Sequence, residues 1–405
     1  MVRWYVIWCV MILILGFRVY SKYNVRRNFV ENMVVKIYGR VESLGGGNYI
    51  RVEGIGVRWP RGEQMRYGQR FVTTGKLVSK VTKNGDTRLE LQARDFQILG
   101  EENKWVGWIV DLKRKWQQDL VAWLGQDEGG LASGVLLGGD EAMSRELTGE
   151  FRSAGLSHIT AASGYNVAVV AGWVMGWGWK IWGRRRSIPY VIFFIILYMV
   201  MAGLSAAVVR AGVMATLGFL GLVWGRKSGG WWMLGLTVWT MLVVNPDYLS
   251  DVGFLLSVAA TVGVMGVTSL RNVEGSIGWL GSLGLTFVED LKVTLAAQIM
   301  TLPIIWHYFG NLSVVAPISN LVVLWAVPVV MQILGVAVLA GVIWAEAGQL
   351  VSFLAWPLLR YVVWVVETVA GWSWANIQMG DLGWEWVAGY YLVLAICIKY
   401  WSWRR

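Results

Sequence analysis

The run from Gly155 to Gly172 holds the densest group of side chains able to do chemistry. Ser157, His158, Thr160, Ser163, Tyr165 and Asn166 fill its first half, with Ala and Gly between them, and its second half is apolar enough to enter a bilayer. Three chemistries fit this mixture. The polar groups could line a water-filled path, because a polar group facing lipid is costly and irregular backbone is tolerated where it borders a cavity. They could instead bond between helices that approach closely over small residues. Or Ser157 or Ser163 could be a nucleophile with His158 or His307 as its base, which needs hydrogen-bond reach and an oxyanion site. Spacing counts against the third: adjacent Ser157 and His158 point about 100° apart on a helix, and five residues between His158 and Ser163 is a poor same-face interval. Path and glue stand level on this stretch alone. The expected form is a helix broken near Ser163-Gly164.

Four more polar residues sit in apolar surroundings. Arg210 lies a third of the way into a hydrophobic run, flanked by Ser205, Ala206, Ala207, Ala211 and Gly212; an intramembrane arginine is by default a functional residue facing the interior. Asp251 opens a later run and is either its partner or an ordinary helix N-cap. Gln298 and Asn320 are expected to be buried amides that line a path or bond across helices. His307, beside Tyr308 at the end of a run, reads as an interface histidine, and Glu346 and Glu367 as solvated span ends.

A second group is basic and aromatic. Arg51, Arg58, Arg61, Arg66, Arg70, Lys76, Lys80 and Lys83 are interleaved with Tyr49, Trp59, Tyr67 and Phe71. Basic groups among aromatics suit a charged groove with stacking platforms for single-stranded nucleic acid; a basic face on anionic lipid needs no groove and is the rival reading. Residues 18–104 carry 17 Lys+Arg against 9 Asp+Glu, a net of +8 out of +10 for the chain. The charge belongs to one insert.

The elements that must position these groups follow from composition. Of 405 residues 56% are hydrophobic and 15% charged, with 27 Trp; soluble domains average about 25% charged. The expectation is a polytopic α-helical membrane protein of about ten to eleven spans, with a small all-β domain inserted after the first. Residues 1–20 form the anchor, uncleaved, because no small-x-small site follows and Arg18, Lys22, Arg26 and Arg27 do. Residues 26–100 read as about five short strands punctuated by Gly45-Gly-Gly-Asn and Lys83-Asn-Gly-Asp, which suits an OB-like barrel. Residues 104–124 repeat Trp and Leu at three- and four-residue spacing, an amphipathic helix for the membrane interface. Residues 131–405 hold the remaining spans. Within them 277–288 reads as a short glycine-rich piece, interfacial or a half-helix, and 312–345 as long enough for two passes, broken at Pro317 and Pro328. Arg184-Arg-Arg and Arg226-Lys227 are two spans apart and face the cytoplasm by the positive-inside tendency, which puts the β domain outside. Cys9 and Cys397 form no disulfide framework or metal set, and two histidines exclude a His-rich metal site. No cofactor is expected.

Taken together these segments resemble the ComEC family of competence proteins, the inner-membrane channels for transforming DNA. The resemblance runs in order through Leu136-Leu-Gly-Gly-Asp140, Phe151-Arg-Ser-Ala-Gly-Leu-Ser-His-Ile-Thr-Ala-Ala-Ser-Gly164, Ser205 to Ala211, Asn245-Pro246 with Asp251-Val-Gly-Phe-Leu-Leu-Ser257, Ala296-Ala-Gln298 with Leu302-Pro303, Phe309-Gly-Asn-Leu-Ser313 and Pro317-Ile-Ser-Asn320-Leu. It also implies an N-terminal OB-like domain. Two features depart. The family often has Leu-His where this chain has Tyr165-Asn166, and Asn cannot titrate. Many members also carry a metallo-β-lactamase-like domain, whose His-x-His-x-Asp-His cluster is absent here.

The resemblance implies a non-enzymatic channel for single-stranded DNA in the cytoplasmic membrane. Ser157, His158, Ser163, Gly164, Tyr165, Asn166, Arg210, Asp251, Gln298 and Asn320 are the expected lining, with Arg210 meeting phosphate and His158 the group able to titrate. On the β domain the expected strand contacts are Arg51, Arg58, Trp59, Arg61, Arg66, Tyr67, Arg70 and Lys76. The expected partners are single-stranded DNA, membrane lipid, a cytoplasmic ATP-driven translocase and a separate nuclease. Two other classes remain in view: a small-anion secondary transporter built on the broken helix, and an intramembrane serine hydrolase.

Overall fold

The computed structural model describes residues 11–22, 33–40, 49–52, 55–58, 69–81, 87–101, 104–225, 229–268, 279–380 and 382–403. The first described element is helix α1, residues 11–22. It lies along a later helix, α9 (Gly230–Val244). Trp239 Nε1 donates to the Met11 carbonyl at 2.9 Å, and Lys22 Nζ meets Asn245 Oδ1 at 2.9 Å and Asp247 Oδ2 at 2.8 Å.

Five strands follow: β1 (Val34–Arg40), β2 (Tyr49–Val52), β3 (Ile55–Arg58), β4 (Gln69–Val81) and β5 (Thr87–Glu101). They form one sheet in the order β1-β4-β5-β3-β2, antiparallel except where β3 runs parallel to β5. Alternation decides the faces: Ile37, Val57, Phe71, Leu77 and Leu91 bury on one side, where Phe71 stacks on Phe96 at 5.2 Å. The pairing skips Arg94 and Leu99, two extra residues that bend the long β5.

The rest of the described chain is helical. Two residues after β5, α2 (Lys104–Leu124) begins, and a single Gly125 turns it into α3 (Gln126–Leu137). Every residue of α3 from Gly129 to Leu137 is buried. Against it pack α2, α13 (Ala326–Ile343) and α15 (Trp356–Ala370), and the same hydrophobic core continues through α4 (Arg145–Ser153) and α7 (Arg184–Met201), with side chains such as Phe151, Ile195, Leu334 and Leu359.

Among the described residues two helices, α8 (Ala206–Val223) and α13, are each long and apolar enough to cross a membrane. Helix α14 (Ala345–Phe353) and α15, bent by 50° at their junction, would make a third. The sequence expects ten to eleven spans, and the shorter apolar helices α9 and α10 (Val252–Thr268) fall below that length. Two finer expectations are corrected. Segment 277–288 is not separate: α11 runs unbroken from Trp279 to Phe309. Glycine there weakens a helix by about 1 kcal/mol per residue, but no proline interrupts it before Pro303. At that point the carbonyl of Ile299, which proline cannot serve, accepts from the Tyr390 hydroxyl at 3.0 Å. The region 312–345 is not two passes. It contains a three-residue strand β6 (Asn311–Ser313), paired with β7 (Asn376–Gln378), then the eight-residue α12 (Ala316–Val323), then α13. Pro317 starts α12 rather than breaking it, and Pro328 cannot donate to the Leu324 carbonyl, where the chain turns into α13.

Candidate functional site

The run that opens at Gly155 is a broken helix. Helix α5 (Ser157–Thr160) and α6 (Gly164–Trp182) are separated by residues 161–163, with Ala161 and Ser163 extended. Both halves are held by the end of α3. The Gly139 amide donates to the Thr160 carbonyl at 3.0 Å on one side of the break, and Asn166 Nδ2 donates to the Val135 carbonyl at 2.9 Å on the other. The last carbonyls of a helix lack intrahelical donors, so the Asn166 amide closes one that α3 leaves open. Gly138 makes the approach possible: its φ is +74°, and a Cβ there would sit 2.4 Å from Ala162 Cβ. From the far side, Lys113 Nζ on α2 donates to the Gly138 carbonyl at 3.2 Å.

Within the broken helix the expected lining residues divide. Asn166 is buried, and Ser163 Oγ donates to its Oδ1 at 3.2 Å, so this pair bonds helices together. Thr160 is buried and bonds back to the Ser157 carbonyl at 3.1 Å. Ser157, His158 and Tyr165 are exposed. His158 is exposed on the α5 side of the break. Neither Ser157 nor Ser163 is hydrogen-bonded to a histidine among the described residues. His307 lies elsewhere, with Nδ1 on the Leu382 carbonyl and its ring 4.3 Å from that of Trp384.

Arg210 on α8 reaches the break. It is 8% exposed, its Nε donates to Ser257 Oγ on α10 at 2.7 Å, and Nη1 lies 3.9 Å from the Met214 sulfur. Its Nη2 abuts Gly164, where an added Cβ would stand 3.0 Å away. No carboxylate among the described residues pairs with it. Of the two readings of Asp251 the N-cap holds and the partnership with Arg210 does not: Asp251 Oδ1 accepts from the Phe254 amide at 2.7 Å and caps α10. The local N-cap wins because it needs no other helix to arrive. Gln298 is half-buried rather than buried. Asn320 is buried, and its Oδ1, with the hydroxyl of Ser133, has no hydrogen-bond partner among the described residues; the Tyr198 hydroxyl lies against the Asn166 side chain.

Beside the break, burial pushes the Glu141 carboxyl above the usual carboxylate range; Lys113 pulls it back, Asp140 adds to the rise and a hydrogen bond from Gln117 lowers it. Burial likewise lowers the Lys113 ammonium, opposed by Glu141. A cavity of about 210 Å³ lies farther along α6, lined by Gly172, Trp173, Gly176, Trp177 and Lys180, away from the break.

On the sheet, register sets Tyr49, Arg58, Gln92, Lys76 and Val34 in one row across all five strands. Arg70 is six residues from Lys76, so by alternation these two basic positions share the face opposite the core, and the side chains of Arg51 and Arg58 lie outside the described residues. Arg70 and Lys76 alternate with buried Phe71 and Leu77, and Lys36 Nζ sits 5.5 Å over the exposed Tyr38 ring. Trp59, Arg61, Arg66 and Tyr67 lie outside the described residues.

A family model described as competence protein matches residues 135–404. The chain belongs to that family. Among curated proteins it is similar to ComE operon protein 3 of Bacillus subtilis (strain 168), 24% identical over 199 residues, which is 48% of this chain and 24% of that protein. It is also similar to competence protein ComA of Neisseria gonorrhoeae, 25% identical over 281 residues, 64% of this chain and 37% of that one. The matched stretch thus spans roughly a quarter and somewhat over a third of these relatives. No solved structure matches the chain.

The competence-protein match starts at Val135, the residue whose carbonyl Asn166 holds, and includes α5, α6, Arg210, Asp251, Ser257, Gln298 and Asn320, while Lys113, Gln117, Ser133 and the sheet lie outside it. Three site residues escape a reading of the sequence. Ser257 looks like any serine in an apolar run, Tyr198 like any span tyrosine, and Lys113 like the wet face of an amphipathic helix. Only Gly138-Gly139 carries a local signal, since paired glycines mark a backbone that must turn or approach closely.

Proposed function

We propose that this competence protein is a multi-pass channel of the cytoplasmic membrane that passes single-stranded DNA into the cell. The observation that carries the reading is Arg210: a buried arginine, 8% exposed, without a carboxylate partner among the described residues, its guanidinium set against the break in a helix. A buried charge without a counter-charge is strongly unfavourable, and a polyanion passing the break supplies one at each phosphate. The partnerless polar atoms of Ser133 and Asn320 add support, because buried groups of this kind suit a polar interior and not a sealed one. His158 is exposed on the α5 side of the same break. The sheet, with its parallel β3–β5 pair, reads as a partly open OB-like barrel outside the membrane. Its basic face collects the strand by phosphate charge and base stacking. An ATP-driven translocase in the cytoplasm and a separate nuclease complete the system.

The test is uptake of labelled DNA by cells carrying Arg210→Ala or His158→Ala, with membrane levels of each variant measured. Arg210→Ala is expected to lower uptake at least tenfold (about 1.4 kcal/mol at the limiting step), and His158→Ala less. Full uptake in both variants at parental protein levels removes the break from the path.

A further inference from the structure

Arg210 and the start of α6 form an unfavourable pair as they stand. The first-turn N–H groups of α6 have no intrahelical acceptors, and the helix dipole makes that end positive. Ser163, at the cap position, does not neutralise it, because its hydroxyl bonds Asn166 Oδ1. A second positive group, the Arg210 guanidinium, is packed against the first residue of the same helix. Ser257 fixes Nε, the Met214 thioether is only a weak acceptor for Nη1, and Nη2 has no hydrogen-bond partner among the described residues. Two positive features repel in a low-dielectric interior, so their juxtaposition calls for an anion between them.

Gly164 keeps that place open. A Cβ there would come within 3.0 Å of Nη2 and 3.2 Å of Ala211 Cβ. Alanine would therefore push the guanidinium away from the amides of α6. A planar guanidinium and a helix N-terminus each match the oxygens of a phosphate, whereas a carboxylate on the chain would quench the site permanently.

We propose that the head of α6 at Gly164 and the guanidinium of Arg210 form a binding site for one phosphodiester of the passing strand, with Ser257 as the residue that positions the guanidinium. The proposal rests on the channel reading above and narrows it to a single oxyanion site. Arg210 contacts the phosphate; Ser257 acts through Arg210.

The experiment uses the full chain in maltoside micelles, which carry no phosphate, and two probes: a short fluorescent oligothymidylate titrated across a salt series, and inorganic phosphate followed by thermal unfolding. Arg210→Gln is expected to weaken oligonucleotide binding several-fold and to reduce the slope of log affinity against log salt by about 0.7, the worth of one single-strand phosphate. Gly164→Ala should do the same with the arginine retained, and Ser257→Ala should give a smaller loss of affinity. Phosphate should raise the unfolding midpoint of the parent and not of Arg210→Gln. If Arg210→Gln does not accumulate, Gly164→Ala and Ser257→Ala carry the test. Unchanged affinity and slope in the folded variants, or a phosphate shift that survives them, overturns the site. A parent that responds to phosphate through Arg210 but binds no oligonucleotide keeps the oxyanion site and removes the channel reading.

Discussion

Asn166 shows how one side chain changes meaning when its partner is known. In sequence it is a polar residue beside Tyr165 in an apolar run, open to either the path or the glue reading. In the fold its amide closes the Val135 carbonyl, 31 positions away, and it is 2% exposed. No local pattern signals that bond, because the partner comes from another helix. The consequence is testable. Asn166→Ala leaves a buried carbonyl unpaired, which is expected to cost about 1–3 kcal/mol, read as a lower unfolding midpoint of the purified protein. Asn166→His, the residue that the resembled family often has there, keeps a donor and should recover most of the loss. Equal midpoints for alanine and the parent would show that the bond contributes nothing. Asp251 teaches the converse: cap grammar is written within four residues, and Asp251 with Phe254 follows it.

At the level of elements, breaks and ends are legible where glycine and serine cluster, and less so at proline, which starts helices as well as interrupting them. The interruption at Ser163-Gly164 follows from residue types alone, whereas Pro317 begins a helix and the glycines of α11 do not end one. The contact between α2 and the Gly138-Gly139 turn was not legible, since Lys113 lies among other basic residues of an amphipathic helix. That contact carries a pH dependence. The Glu141 carboxyl is held above its ordinary value in the folded chain, chiefly by burial. Between the ordinary carboxylate range and the raised value, the unfolded chain has lost a proton that the folded chain keeps. Stability is therefore fully present below that window and falls as pH rises through it. Glu141→Gln should flatten the fall, measured as unfolding midpoint over about pH 4–7. A parental slope in that variant would place the titration elsewhere.

For the whole molecule, composition foresaw a helical body with a basic β insert, and the ordered motifs foresaw the family, because both are properties of the linear chain. Which polar residues meet is a property of packing and stayed hidden: Arg210 finds Ser257 and Gly164 rather than Asp251. The clasp at the end of α3 has one more consequence, which concerns size. Thr160 and Asn166 are anchored on the same turn, and three residues bridge the gap between α5 and α6. A chain extends at most ~3.3–3.6 Å per residue, so the backbone ends of the two half-helices can part by no more than about 14 Å, four such steps. Covalent length, not side-chain packing, thus limits how far the break can open. On the channel reading it admits one polynucleotide strand and stops a paired stem. Inserting three glycines between Ala162 and Ser163 should let cells take up a hairpin-bearing oligonucleotide that the parent arrests. Arrest of the hairpin in both would locate the gauge in another part of the path.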